Sequence, residues 1–287
     1  MKLLITIILC IKNGRAYLPD LFEKIGSQKG KFEIELLVCD SGSTDGSFEF
    51  VKSKKRKVKN IRQKVFRIKP EEFRHGKTRN MLVKKATGSI VVFLSQDIQI
   101  PNSWWLHHLL KPFQNKNIAG VFCRQKPNAN ANPFDKFFYS QTYPHKNRII
   151  KNQNPKLGVN RIFFSMVCGA TRKELIVKYP FVGNRDWAID QWWAKTVLEK
   201  GLGIFYTADT FVFHSHDYSL GEIWQRNVLL GRSLLDFPKE GFFKISAEWA
   251  LYVIREFWFG KLGVKKIGIL PYELFRLIGF WWGGVTQ

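Results

Sequence analysis

Four short polar runs each follow an apolar stretch of this chain: Asn13-Gly14, Asp40-Ser41-Gly42, Ser95-Gln96-Asp97 and His214-Ser215-His216. In open α/β sheets ligands bind beyond the carboxyl ends of the strands, so a site is expected at these runs. Asp97 offers oxygen to a hard divalent cation, and imidazole can complete such a site. An ion of that kind beside a diphosphate neutralises charge as the diphosphate departs. The same residue types also serve plain structural ends, since an aspartate after a strand can cap a turn and a histidine can hydrogen-bond a strand end. Missing motifs narrow the chemistry. No GxGxxG follows the first apolar run and GxxxxGK[ST] is absent, which removes the main support for a nicotinamide-binding enzyme and for a P-loop nucleotide hydrolase. A GxSxG elbow is absent as well, so a Ser-His-Asp hydrolase is unsupported.

The elements that must position these residues alternate. Leu3–Ile11 reads as a first buried strand, not a signal sequence, because it lacks a small-x-small cleavage site and runs into Asn13-Gly14. A helix is expected over Arg15–Ser27, a strand over Glu33–Cys39, and a turn at Ser41–Gly46 in which Asp45 caps the next helix. Ile61–Ile68 is a strand, Lys77–Ala86 a helix stopped by Gly88, and Ser89–Ser95 a strand buried on both faces. Pro101 opens another helix, and Ile118–Phe122 is a strand. Residues 127–160 read as an acceptor-side insertion with a short helix. Helices over Thr171–Tyr179 and Trp187–Lys200 and a strand at Ile204–Tyr206 follow. This rhythm predicts an α/β domain with a mostly parallel central sheet.

The composition is that of a folded protein: 287 residues, 45% hydrophobic and 15% aromatic, which excludes disorder as the main state. Cys10, Cys39, Cys123 and Cys168 lie too far apart for a CxxC site and read as reduced thiols in a cytosolic protein. The net charge is +23, and Lys52–Lys69 alone carries ten Lys or Arg and no acid. Such a run is a solvated face, or it attracts an anionic membrane or nucleic acid. No nucleic-acid motif is present. Between Phe242 and Trp282 lie twelve aromatic residues, and no stretch has the roughly 20 uncharged apolar residues of a spanning helix. A basic, aromatic, amphipathic tail without a span describes a segment lying in a membrane interface, with a helical pair packed on the core as the alternative.

The run Val38-Cys39-Asp40-Ser41-Gly42-Ser43-Thr44-Asp45-Gly46-Ser47 resembles the VxDxGSTDGS signature of glycosyltransferase family 2. Three further blocks are similar to its bacterial rhamnosyltransferase-like subgroup: Phe73 to Asn80, Phe93 to Asp97, and Val212 to Ser219, together with Asp190-Gln191-Trp192-Trp193-Ala194-Lys195. The resemblance covers about residues 3 to 235. It implies a GT-A (Rossmann-like, nucleotide-sugar-binding) fold. The implied divisions are a catalytic domain at 1–235, with a donor half at 1–125 and an acceptor half at 126–235, and a helical C-terminal appendage at 236–287.

Carried over residue by residue, the resemblance makes Asp40, Ser41, Arg79, Gln96 and Asp97 donor-binding, with Asp40 at the nucleobase and Arg79 on its uracil or thymine side. Asp97 and His214 become ligands of a divalent metal, Mg or Mn, with His216 in reserve. Asp190 becomes the general base, with Asp186 as the fallback. At a helix start the positive dipole end is expected to keep Asp190 ionised. Trp187, Trp192 and Trp193 are candidates for stacking on acceptor sugars, with core packing the alternative. Two positions depart from the pattern: Ser95 stands where the family has the first acid of its metal motif, and Ile189 stands where it has a glutamate. The implied reaction is inverting transfer from a dTDP- or UDP-sugar, rhamnose favoured, to a saccharide or lipid-linked oligosaccharide, performed at the inner face of the cell membrane by a peripheral protein. The expected partners include an anionic membrane surface and exclude nucleic acid. A non-catalytic sugar-binding relative is the competing reading, and turnover separates the two.

Overall fold

The computed structural model describes residues 2–54, 61–151, 163–183, 185–216, 218–234 and 269–285. Eight strands form one sheet: β1 (Leu3–Ile11), β2 (Phe32–Asp40), β3 (Ile61–Arg67), β4 (Ile90–Leu94), β5 (Ile118–Lys126), β6 (Arg148–Ile150), β7 (Cys168–Arg172) and β8 (Gly203–Phe213). Their order is β3-β2-β1-β4-β7-β5-β8-β6. Strands β3, β2, β1 and β4 are mutually parallel, β7 runs antiparallel to both neighbours, and β5 pairs parallel with β8. The chain winds outward from β1 to β3 and then returns to the other side of β1. That reversal opens a crevice between the carboxyl ends of β1 and β4.

Side-chain alternation builds two cores, one on each face. Ile5, Ile7 and Leu9 of β1, with Ile90, Val92 and Leu94 of β4, face one core. Ile8, Val91 and Phe93 face the other. All five residues of β4 are buried, as its unbroken apolar run requires of a central strand. The helices covering the sheet are α1 (Leu18–Gly26), α2 (Ser47–Lys54), α3 (His75–Lys85), α4 (Trp105–Leu110), α5 (Pro133–Thr142), α6 (Lys173–Lys178), α7 (Ile189–Glu199) and α8 (Leu220–Ser233). A further helix, α9 (Ile269–Val285), packs on α8. Gly279 and Gly283 permit the close approach, because a methyl group at Gly283 would run into the Val228 backbone.

Several elements differ from expectation. Thr171 and Arg172 are not the start of a helix: they pair with Val91 and Ile90 as the end of β7, and α6 begins only at Lys173. The small residues Cys168, Gly169 and Ala170 fit between β4 and β5, and that pairing overrides helical pattern. Helix α1 starts at Leu18, because Asn13 adopts a left-handed conformation (φ 49°) and the loop after it is held by hydrogen bonds. The insertion contains the expected short helix, α5, whose start is capped by the Asn132 side chain accepting from Asp135 N–H. It also contains an edge strand, β6. The basic residues at 55–60 and most of the aromatic tail (235–268) lie outside the described residues.

Candidate active site

The antiparallel bridge between Gln99 and Phe213 lays the segment after β4 beside the end of β8. Phe213 N–H donates to Gln99 O at 3.0 Å and Gln99 N–H returns a bond at 2.9 Å. His214 N–H donates to Lys126 O at the end of β5. These backbone bonds bring Asp97, His214 and His216 together although 117 residues separate the first from the second. His214 Nε2 lies 3.6 Å from one Asp97 oxygen, and His216 Nε2 lies 3.5 Å from the other. One donor atom from each residue falls within 4.8 Å of the rest. Ligands about 2.1 Å from a shared octahedral ion sit roughly 3 to 4.2 Å apart, so the spacing fits a divalent cation. His216, the reserve in the sequence, is as close to Asp97 as His214 is. A second imidazole at this place could stand in for the carboxylate that Ser95 lacks.

The cluster has a supporting layer that the sequence did not single out. Gln125 Nε2 donates to Ser165 Oγ at 2.9 Å, which turns its Oε1 toward His214 Nδ1, 3.1 Å away. Tyr139 Oη lies 3.1 Å from the same nitrogen. His214 Nδ1 therefore carries the proton, and Nε2 presents its lone pair to the Asp97 side. Burial lowers the His214 pKa to about 4 against the opposing pull of Asp97, so the ring is neutral and ligand-ready at pH 7. Removing the acceptor with Gln125→Leu is expected to weaken Mn²⁺ affinity about 10- to 100-fold while the fold persists. Titration calorimetry would read this, and an unchanged affinity would dismiss the orienting role.

The residues expected on the donor side form a stitched pair of loops. Asp40 is fully buried and accepts from Gly42 N–H at 3.1 Å and from Ser43 N–H at 3.2 Å. The cation beside it is Arg67, at 3.4 Å. Ser41 Oγ donates to Ile11 O at the end of β1. Ser43 Oγ accepts from Asn13 N–H, Ser47 Oγ from Gly14 N–H, and Asn13 Oδ1 from Thr44 N–H. Asp45 caps α2 through Ser47 N–H, as expected, and also accepts from Arg15 N–H. Gln96 closes the other side, its amide exchanging two 2.9 Å bonds with the backbone of Lys12. Asp40, Ser41 and Gln96 thus hold the crevice walls in shape. Arg79, on α3, bonds His75 O at 3.1 Å, and its charge reaches both Cys10 and Asp190.

Asp190 opens α7 in the first turn and accepts from Gln191 N–H at 3.0 Å and Met166 N–H at 3.4 Å. The pull toward the ionised form expected from the helix start is opposed by burial. Burial raises its pKa above the ordinary carboxylate value, outweighing the two N–H donors and Arg79. Asp186, the fallback, is exposed and 3.9 Å from Arg74. Ile189 is buried in the core, which explains an apolar residue there. Trp193 is 2% exposed and packs on Phe164 and Phe181, so it is a core residue and not a sugar platform. Trp192 donates through Nε1 to Ser233 O, beneath the Arg185 guanidinium. Trp187 is half-buried, its ring under Arg226 at 5.0 Å.

A match to the family described as glycosyl transferase family 2 covers residues 6–179. The chain is 30% identical over 226 residues to the O-antigen chain rhamnosyltransferase RfbN of Salmonella typhimurium, covering 77% of this chain and 69% of that protein. It is 32% identical over 195 residues to the O-antigen chain rhamnosyltransferase WbaN of Salmonella anatum, covering 67% of this chain and 60% of that protein. Among solved structures, it resembles the mannosyltransferase PcManGT of Pyrobaculum calidifontis in complex with GDP-Man and Mn²⁺ (TM-score 0.68, 16% identity, 98% of this chain and 88% of that one). It also resembles S. aureus TarS 1-349 in complex with UDP (TM-score 0.57, 19% identity, 97% and 80%). These two likenesses establish the GT-A fold.

Proposed function

The chain belongs to glycosyl transferase family 2 and is a glycosyltransferase, and from that premise we propose that it moves rhamnose, with inversion, from a dTDP- or UDP-linked donor to a saccharide hydroxyl on a lipid-linked surface-polysaccharide intermediate. The observation that carries this reading is the convergence of Asp97, His214 and His216 at the mouth of the crevice. The two rhamnosyltransferase relatives motivate the choice of sugar. Two imidazoles and one carboxylate suit Mn²⁺ better than Mg²⁺, which prefers oxygen ligands. When bound, the ion supplies positive charge to the departing diphosphate. Asp190 takes the proton of the acceptor hydroxyl, and its raised pKa makes it a stronger base than an ordinary carboxylate. The stitched loops around Asp40, Ser41 and Gln96 shape the donor pocket. Residues 1–235 constitute the catalytic unit on this reading, and the metal ligands come from both of its halves.

The appendage 236–287 belongs at a membrane surface. No helix among the described residues is long and apolar enough to cross a membrane. On α9, Leu274, Ile278 and Trp282 fall at intervals of four and are 57%, 46% and 56% exposed, each one residue before a member of the Phe275, Gly279, Gly283 row that meets α8. Replacing all three with Ser is expected to abolish co-sedimentation with anionic vesicles and leave turnover of a water-soluble acceptor intact. Undiminished sedimentation would remove α9 from the interface.

The reading as a whole is tested by offering dTDP-rhamnose, UDP-glucose, UDP-galactose and UDP-N-acetylglucosamine and measuring nucleotide diphosphate release with a lipid-linked acceptor. Release from dTDP-rhamnose above the others supports it. A different preferred donor corrects the sugar, and no release from any supports a non-catalytic relative.

A further inference from the structure

Arg226 projects from α8 toward the metal cluster, yet among the described residues its guanidinium makes no hydrogen bond and no ion pair. Its two close neighbours are aromatic faces: Tyr218 at 4.3 Å and Trp187 at 5.0 Å. Tyr218 in turn stacks on His216, with ring centroids 4.7 Å apart, so a single ring separates Arg226 from a metal ligand. Its charge reaches His214, Tyr139 and His75 as well, which places it among residues from the segment after β8, from α5 and from α3. The nearest acid on its own helix is Glu222, one turn earlier. That carboxylate is engaged at the helix start, accepting from Ser219 N–H at 2.8 Å and Ser219 Oγ at 2.7 Å. Aromatic faces orient a guanidinium without using its N–H donors. An arginine held in this way beside a divalent-metal site presents a fork of donors to a phosphate.

We propose that Arg226 grips the terminal phosphate of the nucleoside diphosphate, the group that becomes the leaving group's new anionic end. The proposal rests on the donor reading given above. Tyr218 and Trp187 are then the residues that aim it, and the metal cluster and Arg226 hold neighbouring phosphate oxygens. Held on that phosphate, the guanidinium would bind more strongly as charge develops there during departure.

The test measures binding of dTDP, dTMP and a prenyl diphosphate, each with Mn²⁺, to the wild type, Arg226→Gln and Arg226→Lys. The Arg226→Gln variant is expected to lose about 10- to 100-fold in affinity for dTDP, as loss of a charge-assisted bidentate contact implies. It should keep dTMP affinity within about threefold, since dTMP lacks the terminal phosphate. Arg226→Lys should fall between the two for dTDP, keeping charge without the planar fork. Equal losses for dTDP and dTMP would mean that Arg226 merely shapes the pocket, and unchanged dTDP affinity would overturn the assignment outright. A loss confined to the prenyl diphosphate would move Arg226 to the acceptor side and equally overturn it. If the wild type binds neither dTDP nor UDP with Mn²⁺, the donor reading itself fails and this proposal falls with it.

Discussion

Replacing Asp97 with Ala is expected to lower sugar transfer about a thousandfold and to erase the response to Mn²⁺. Asp97 is the lone carboxylate of the cluster, with one oxygen facing each histidine. Without it two neutral imidazoles remain, and neither contributes negative charge to hold a hard dication. The metal's share in stabilising a leaving diphosphate is several kcal/mol, and each 1.36 kcal/mol is about tenfold in rate. The fold should survive, because Asp97 is partly exposed and the segment is held by the backbone bridge of Gln99 to Phe213. Steady-state transfer with and without EDTA checks this. Activity within tenfold of wild type, still sensitive to EDTA, would place the metal elsewhere.

The second large effect is at Asp190. The Asp190→Asn variant should lose about 10² to 10⁴ in turnover, the usual worth of a positioned general base. Its stability should move the other way. The folded chain holds the Asp190 proton more tightly than the unfolded chain does, because burial raises the pKa. Ionising the group at neutral pH therefore works against folding, and stability is lost as pH rises from the ordinary carboxylate value through the raised one. The variant has nothing to ionise, so it should melt no lower than wild type at pH 7, and the difference should shrink toward pH 4. The acid limb of the wild-type rate profile should lie above the ordinary carboxylate range for the same reason. Melting curves and rates across pH 4 to 8 read both. Full turnover in the variant would shift the base to Asp186.

What could be read from the chain follows from which forces are local. Strands β1 and β4 announce themselves as apolar runs because every residue of β4, and six of the nine of β1, are buried. The polar runs at their ends were legible as site candidates because fold geometry places ligands there. Gln125 and Tyr139 were not, since each reaches His214 across a long stretch of chain (89 and 75 residues) with no local spacing to betray it. The last two residues of β7, Thr171 and Arg172, looked helical because Thr171 to Tyr179 carries a helical pattern, while their strand pairing depends on partners at 90–94 and 120–122. The charge state of Asp190 is likewise a tertiary property: a helix start is visible in sequence, but the depth of burial is not. Trp193 illustrates the same limit, since its place on the buried face of α7 decides between packing and ligand contact.

On the proposed reading, Asp97, His214 and His216 form one divalent-metal site serving a nucleotide-diphosphate donor. Thermal unfolding with dTDP or UDP, in Mn²⁺ and in EDTA, tests it most directly, because a ligand of the native state raises the melting temperature. A rise of several degrees is expected with nucleotide and Mn²⁺ together, lost in EDTA and lost in Asp97→Ala and His214→Ala. A nucleotide-dependent rise that is the same in EDTA and in both variants would contradict it.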